Sequence, residues 1–228
     1  MIRWEQPGYE IAFTTRAGGV SEGAYASLNL GARTDDLAEN VEENRRRACA
    51  EVGAAPDRLT LNRQVHSSAV HQATPGERGV EGDGLWTSEP SLPLLVLAAD
   101  CVPVALVRTD GTPGLAVLHA GWRGLLAGVV EEGVRALGPG PVAAAVGPSI
   151  GACCYEVGRD VSDHFDRDLT SAGKLDLGAA VERRLRAAGV SAVERFDACT
   201  ACHPELFFSH RRDRGLTGRQ GVIGVVAG

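Results

Sequence analysis

Two apolar runs dominate the middle of the chain. They cover Leu94–Val107 and Gly114–His119, and the turn-forming sequence Thr109-Asp110-Gly111-Thr112-Pro113 lies between them. This pattern predicts two buried strands joined as a hairpin. A hairpin centred on the turn pairs His119 with position 103, and side chains two residues apart on a strand share a face. His119 would then lie diagonally opposite Cys101, whereas an odd register or a crossover connection would separate them.

Shorter patterns predict the other elements. The expected strands are Tyr9–Thr15, Leu59–Val70, Val142–Val146, Val193–Phe196 and Gly221–Val226. The expected helices run from the N-cap Asp35-Asp36 to Gly53, from Leu125 to Leu137, through Val157, Val161 and Phe165, and from Asp176 to Gly189. No repeat, low-complexity tract or shift in composition marks a linker, so we expect a single domain over residues 1–228.

Composition narrows the class of protein. The chain has 228 residues, 44% of them hydrophobic, and a net charge of −6, without a long basic run, so nucleic acid and membrane surfaces are not expected partners. The first residues lack the pattern of a signal peptide, and the most apolar stretch, interrupted by Asp100 and Pro103, is too short to span a bilayer. We therefore expect a cytoplasmic protein whose six cysteines are thiols or ligands rather than disulfides.

The sequence Cys199-Thr200-Ala201-Cys202-His203 matches the C-x-x-C-H pattern of covalent haem attachment. We reject this interpretation because no export signal is visible and Met1 is the only methionine, which leaves no usual axial ligand. A structural zinc site that includes Cys153 or Cys154 stays open, but no second C-x-x-C is present and neighbouring side chains point apart in extended chain. The default expectation is a structural loop.

Several polar residues are candidates for a site. Arg16 begins a glycine-rich loop that could bind an anion, although the loop by itself favours an ordinary turn. On the strand-like segment Leu59–Val70, Gln64, His66 and Ser68 would share a face, and His71 would point to the other. Asp83 lies in the sequence Glu81-Gly82-Asp83-Gly84, for which we expect a flexible loop.

His66, Cys101 and His119 form the strongest candidate set, although their spacing matches no standard ligand pattern. Two imidazoles and one thiolate are a ligand set for an open catalytic zinc site, in which a fourth position takes water or substrate. The same three residues also suit a cysteine nucleophile with a histidine base. Residue types alone leave both chemistries open.

The sequence resembles the laccase-domain family, also called YfiH-like, multicopper polyphenol oxidase or peptidoglycan-editing-factor proteins. The resemblance covers nearly the whole chain, and its most specific blocks are AADCVPV (98–104) and HAGWRG (119–124), in this order. Further blocks are TTRAGGVSEGAYASLNLG (14–31), NRQVHSSAV (62–70), GDGLWT (82–87), GPSIGACCYEVG (147–158) and FFSHRRDRGLTGRQ (207–220). The metal-binding residues of the family fall on His66, Cys101 and His119, and one departure is His210, where the family pattern has tyrosine.

The resemblance implies an α/β fold, a four-layer alpha-beta-beta-alpha sandwich with mixed sheets related to cysteine-hydrolase-like proteins. It also implies a zinc site, with copper as the alternative, acting on purine nucleosides. The implied activities are phosphorolysis of adenosine, inosine or methylthioadenosine to the base and ribose 1-phosphate, deamination of adenosine, and copper-linked polyphenol oxidation. A four-copper oxidase needs more imidazoles than the six histidines present.

Zinc lowers the pKa of water, which suits deamination at the purine C6 atom. Phosphorolysis needs a phosphate subsite, for which Arg16 is the candidate, while Gln64 and Asp83 are candidates for binding the base or ribose. A cysteine-dependent amidase acting on a peptidoglycan precursor and a non-catalytic metal-binding module remain alternatives. A monomer or a homodimer is expected.

Overall fold

The computed structural model describes residues 1–228. Its strands are β1 (Ile2–Gln6), β2 (Tyr9–Phe13), β3 (Thr60–Arg63), β4 (Val70–Gln72), β5 (Arg78–Glu81), β6 (Gly84–Thr87), β7 (Leu94–Ala98), β8 (Val102–Arg108), β9 (Leu115–Ala120), β10 (Val142–Val146), β11 (Thr170–Ser171), β12 (Lys174–Leu175), β13 (Ala192–Arg195) and β14 (Gln220–Val226). Its helices are α1 (Ala38–Glu51), α2 (Trp122–Ala127), α3 (Val129–Ala136), α4 (Arg159–Ser162) and α5 (Leu177–Ala187).

Two mixed six-stranded sheets form the centre of the fold. The first has the order β1-β2-β14-β7-β3-β5 and the second has the order β13-β10-β8-β9-β6-β4. The predicted hairpin is β8–β9, and its register pairs Pro103 with His119 as expected. The expectation of one strand over Leu94–Val107 is wrong, because the chain leaves the first sheet after β7 and enters the second sheet at β8.

Three hydrophobic clusters separate four layers of secondary structure. One cluster lies between the sheets, a second lies between the first sheet and α1, and the third lies between the second sheet and α2, α3 and α5. Alternate residues of β14 show the arrangement: Val222 and Val226 face the cluster between the sheets, while Ile223 and Val225 face α1. Both faces of the central strands are buried, which explains why these strands read as continuous apolar runs. The expected alpha-beta-beta-alpha sandwich with mixed sheets is confirmed.

The helices depart from the predicted pattern where glycine or a turn intervenes. The single helix expected after the HAGWRG block is divided into α2 and α3 by Gly128, whose φ of 98° is accessible to glycine but strained for other residues. The N-cap of α1 is Leu37 rather than Asp35 or Asp36. Asp176 does cap α5, since its side chain accepts a hydrogen bond from the Ala179 N–H at 2.8 Å. None of the helices has both the length and the apolar composition needed to cross a bilayer.

Candidate metal centre

The structure brings together His66 from the connection between β3 and β4, Cys101 from the connection between β7 and β8, and His119 from strand β9. Their potential ligand atoms all lie within 4.8 Å of one another. The Cys101 Sγ atom is 3.8 Å from His66 Nε2, and the two imidazole rings lie edge to face with centroids 4.9 Å apart. His119 is buried, Cys101 is half-buried and His66 is exposed, so the cluster opens to solvent on the His66 side.

Cys101 owes its position to the crossing between the sheets. It lies between β7 and β8, directly before the strand rather than on it, and Asp100 has a left-handed φ of 88°. The Asp100 carboxylate accepts hydrogen bonds from the Thr200 hydroxyl at 2.6 Å and from the Arg211 N–H at 2.7 Å. These contacts hold a backbone conformation that is uncommon for a residue with a side chain. The position of Cys101 beside His119 therefore depends on the bend at Asp100 as well as on the predicted register of β8 and β9.

Asp83 is fully buried directly beneath the cluster. Its carboxylate accepts hydrogen bonds from three successive backbone N–H groups, those of Val65, His66 and Ser67, at 2.7 to 3.1 Å. The Ser67 hydroxyl donates to the same carboxylate at 3.0 Å. Converging N–H groups form a concave anion site, and here they stabilise the left-handed conformation of His66, whose φ is 59°. Sequence reasoning placed Asp83 in a flexible loop, but the acidic side chain organises the connection that carries His66.

Asp83 also orients the second histidine. His119 Nδ1 lies 2.8 Å from the Asp83 carboxylate, so the Nε2 atom is the one left to face the cluster. Burial by itself would raise the pKa of Asp83, but hydrogen bonds from His119 and the backbone outweigh it and lower that pKa to about 2. Asp83 is therefore ionised over the ordinary pH range and fixes both histidines from one position.

Cys101 and His119 form a coupled pair of titratable groups. Burial would raise the pKa of Cys101, but the charge and hydrogen bond of His119, together with His66, lower it to about 6. Burial would lower the pKa of His119, but the Cys101 thiolate and Asp83 raise it to about 9. The metal-free pair is therefore a thiolate and an imidazolium at neutral pH.

Gln64 lies at the site in a different role from the one expected. The prediction that Gln64, His66 and Ser68 share the face of one strand is wrong, because β3 ends at Arg63. The Gln64 side-chain amide donates to the Leu97 carbonyl at 2.6 Å and accepts from the Leu97 N–H at 2.8 Å. It thus continues the pairing of β3 with β7, and both the donor and the acceptor of its side-chain amide are used in these bonds.

Arg16 is not among the residues that line the cavity beside the cluster. Its guanidinium donates to the carbonyls of Ala26 at 2.7 Å and Pro204 at 2.8 Å and lies 4.7 Å from the centre of the Phe208 ring. These contacts connect the glycine-rich loop to the C-terminal part of the chain. The sequence alone could not separate this structural role from anion binding.

Gly121 was missed as a functional position by the sequence reasoning. A Cβ atom at this residue would lie 2.6 Å from His66 Cδ2 and 3.1 Å from Cys101 Sγ. The glycine of the HAGWRG block is therefore needed so that the backbone can approach two members of the cluster closely. The signal in the sequence that could have indicated this role is the position of Gly121, two residues after His119 and between a strand and a helix.

The cluster lies in the wall of a cavity of about 650 Å³. This volume is within the range of small-molecule sites, which extends over about 300–1,000 Å³. Besides the three cluster residues and Gln64, its lining includes Trp122, Tyr155 and His210 and the cationic residues Arg33, Arg45, Arg63, Arg78, Arg123, Arg211 and Arg219. The donor set can hold a metal ion. Arg45 and Arg78 are paired with Glu42, and Arg63 is paired with Glu81, so the remaining arginines are the ones available to attract an anion.

Comparison with known proteins agrees with this architecture. The chain is 38% identical over 243 residues to a Geobacillus stearothermophilus protein named purine nucleoside phosphorylase YlmD, with 93% of this chain and 88% of the relative covered. It is 38% identical over 232 residues to purine nucleoside phosphorylase YfiH of Escherichia coli, with 95% and 94% covered.

Solved structures show the same fold. The crystal structure of YlmD from Geobacillus stearothermophilus superposes with a TM-score of 0.89 at 35% identity, covering 97% of this chain and 93% of that one. A Neisseria meningitidis protein superposes with a TM-score of 0.90 at 34% identity, covering 100% and 99%. The family model described as multi-copper polyphenol oxidoreductase laccase matches residues 10–226. The chain therefore belongs to the multi-copper polyphenol oxidoreductase laccase family.

Proposed function

We propose that this chain is a purine nucleoside phosphorylase that uses a zinc ion held by His66, Cys101 and His119. The observation that supports the proposal most directly is the convergence of two imidazoles and one thiolate in the wall of an arginine-rich cavity. Relatives that cover nearly the whole chain are named purine nucleoside phosphorylases.

The donor atoms fit a tetrahedral zinc ion. Zinc–nitrogen and zinc–sulfur bonds of about 2.0 and 2.3 Å separate neighbouring donors by about 3.6 Å. The His66 Nε2 to Cys101 Sγ distance is 3.8 Å, so the side chains need little movement. Three protein ligands leave one position open for a reactant, as in catalytic zinc sites. Only two imidazoles converge here, a set that does not provide the ligands of a four-copper cluster.

The phosphate subsite of this proposal is formed by Arg123 and Arg211 rather than by Arg16. Both line the cavity with the cluster. Arg211 is fixed by its own backbone N–H on Asp100 and by a bond from Nη1 to the Glu156 carbonyl at 2.9 Å. The Arg123 guanidinium lies 4.1 Å from the Trp122 ring centre, and the residue is exposed. Guanidinium groups bind phosphate oxygens in a bidentate manner, which suits this role.

In phosphorolysis a phosphate oxygen bonds to ribose C1′ while the C1′–N9 bond breaks and its electron pair leaves with the purine, which takes up the proton that the phosphate gives up. The arginines bind and orient the phosphate, and the cavity wall positions the nucleoside so that the reacting atoms meet without competing water. Asp83 keeps His119 in the tautomer with hydrogen on Nδ1, and the Asp83 contacts to the 65–67 backbone keep His66 in place. When bound, the metal supplies a Lewis acid with one open coordination position.

The test is product analysis on zinc-loaded protein with adenosine and phosphate. We expect adenine and ribose 1-phosphate, and we expect Arg123→Ala and Arg211→Ala to raise the KM for phosphate more than they lower kcat. Arg167→Ala, which removes an exposed arginine without side-chain partners, is the matched control. Inosine formed from adenosine without phosphate would identify the adenosine deaminase activity that the family resemblance also implies. No product from metal-loaded protein with either substrate set would refute the function.

A cysteine-dependent amidase is the second candidate, and one observation favours it. Asp83, His119 and Cys101 are arranged as an orienting acid, a base and a nucleophile, and the pKa of Cys101 is lowered to about 6. An amidase of this kind needs no metal. Hydrolysis of an amide in a peptidoglycan precursor that resists chelators and disappears in Cys101→Ser would favour it. Chelator-sensitive phosphorolysis would exclude it as the main activity.

A further inference from the structure

A second group of metal-binding side chains lies apart from the candidate centre. The thiols of Cys153, Cys154, Cys199 and Cys202 all lie within 4.8 Å of one another. The Cys202 Sγ atom is 3.5 Å from that of Cys153 and 3.4 Å from that of Cys154. All four are free thiols, and these separations are much longer than the about 2.0 Å of a disulfide bond. We propose that the four cysteines bind a structural zinc ion.

The distances match what a tetrathiolate site requires. Zinc–sulfur bonds of about 2.3 Å in tetrahedral arrangement place the sulfur atoms about 3.8 Å apart. The separations of Cys202 from Cys153 and Cys154, 3.5 and 3.4 Å, are close to this value, and all four sulfur atoms lie within 4.8 Å of one another. Four soft sulfur donors select zinc over harder cations, and four protein ligands leave no open position. The site is therefore closed, whereas the centre of His66, Cys101 and His119 provides only three protein ligands.

The backbone explains how two adjacent cysteines reach the same point. Cys153 and Cys154 lie in a tight turn in which the N–H groups of Cys154 and Tyr155 both donate to the Gly151 carbonyl at 2.9 Å. The expectation that neighbouring cysteines point apart is wrong here, because it holds for extended chain. A Cβ atom on Gly151 would lie 3.3 Å from both Cys153 Sγ and Cys199 Cβ, so glycine allows the turn to approach the second pair.

The C-x-x-C pair is held against this turn by backbone contacts. Ser149 and Cys199 form a parallel β-bridge, and the Thr200 N–H donates to the Ser149 carbonyl at 3.0 Å. The Gly151 N–H donates to the Cys199 sulfur at 3.2 Å, a contact that stabilises a thiolate. The Lys174 ammonium donates to the Cys153 carbonyl at 2.7 Å, which places a positive charge beside a site with excess negative charge.

The zinc ion would connect one segment that lines the cavity, through Tyr155, to a second segment that contacts a lining residue, through Thr200 and Asp100. Tyr155 follows Cys154 directly, and Thr200 donates to Asp100, the residue before Cys101. Asp100 also accepts from the backbone N–H of Arg211. This consequence rests on the proposed function, but the metal site itself does not. A metal that binds only the folded chain stabilises it, so zinc is expected to raise the Tm.

The test uses a variant in which the candidate centre is removed, namely His66→Ala with Cys101→Ser and His119→Ala. We expect this folded variant to retain one equivalent of zinc by elemental analysis. Cobalt reconstitution should give the intense sulfur-to-cobalt charge-transfer absorption of a tetrathiolate site. Adding Cys199→Ser and Cys202→Ser should remove both the metal and the absorption, while Cys49→Ala, which removes a buried thiol far from the cluster, should change neither.

X-ray absorption at the zinc edge of the wild-type protein provides a second measurement that needs no variant. Zinc at both sites would be coordinated mainly by sulfur, whereas zinc at the candidate centre alone would have one sulfur ligand, Cys101. A triple variant that folds but binds no zinc would overturn the proposal. A mass lower by two hydrogens, showing a disulfide between Cys202 and one of its neighbours in freshly reduced and zinc-supplied protein, would overturn it as well. Failure of the nucleoside assay alone would leave it standing.

Discussion

Replacing Asp83 with asparagine tests the central claim about how the candidate centre is built. Asp83 is fully buried and accepts hydrogen bonds from three backbone N–H groups, the Ser67 hydroxyl and His119. Asparagine has nearly the same shape but only one accepting end. Whichever way the amide turns, its NH2 group faces donors, namely Val65 and Ser67 on one side or His66 and His119 on the other.

The size of the effect follows from two contributions. The pKa of Asp83 is lowered from 3.8 to about 2, and this difference corresponds to about 2 kcal/mol in favour of the charged form. Buried donors that lose their acceptor add about 1–3 kcal/mol. We expect Asp83→Asn to lower the free energy of unfolding by roughly 3–5 kcal/mol, in line with the loss of one partner from a buried charged pair. Metal affinity should fall about 10–100-fold, as for other residues that orient a metal-binding histidine.

The assay is urea unfolding of metal-free protein, followed by metal titration of the folded variant. Asp35→Asn makes the same change of charge at an exposed residue without hydrogen-bond partners, and it should stay within about 0.5 kcal/mol of wild type. Because the pKa of folded Asp83 is below that of the unfolded chain, its contribution is present above about pH 4 and is lost as pH falls towards 2. The difference between the wild type and Asp83→Asn should shrink over that window. A variant within 1 kcal/mol of wild type that binds metal normally would refute the reasoning.

Three further predictions follow from the same contacts. In metal-free protein, alkylation of Cys101 by iodoacetamide should rise with an apparent pKa near 6, as read from the pH dependence of labelling; an ordinary thiol midpoint near 8.5 would contradict the ion pair. Gly121→Ala should weaken metal binding in a calorimetric titration while circular dichroism stays unchanged, because the new methyl group meets the His66 ring; unchanged affinity would show that the ring can move aside. Leu106→Ala in the core should lower the free energy of unfolding by about 2–5 kcal/mol, whereas Leu126→Ala at an exposed position should cost well under that in the same denaturant series, and equal losses would contradict the assigned burial.

The sequence pattern was sufficient to predict those elements whose determining contacts lie between residues close together in the chain. The turn at residues 109–113 and the apolar strands on either side of it set the pairing of Pro103 with His119, and the structure has that register. The strand Val142–Val146 and the start of a helix at Asp176 were also predicted correctly. Their signals, an apolar run bounded by turns and a carboxylate before a helical stripe, act over a few residues.

Other features depended on contacts between distant parts of the chain. Asp83 reads as part of a flexible acidic loop, yet it is buried because residues 65–67 and His119 surround it with donors. Arg16 reads as an anion ligand, yet the carbonyls of Ala26 and Pro204 occupy its guanidinium. The local pattern of residues does not predict these pairings, because the partners are distant in the sequence; Arg16 and Pro204, for example, are 188 positions apart.

The sequence by itself determined the hairpin register through its apolar runs and turn, and the family through its specific sequence blocks; the layered fold was implied by that family resemblance. Apolar runs suffice for the hairpin, because burial acts on every residue of a strand. Only the tertiary structure decided which polar groups meet. The convergence of His66 on Cys101, the burial of Asp83 and the gathering of four cysteines each require a fixed crossing of separate segments, and short polar contacts tolerate an error of less than an ångström.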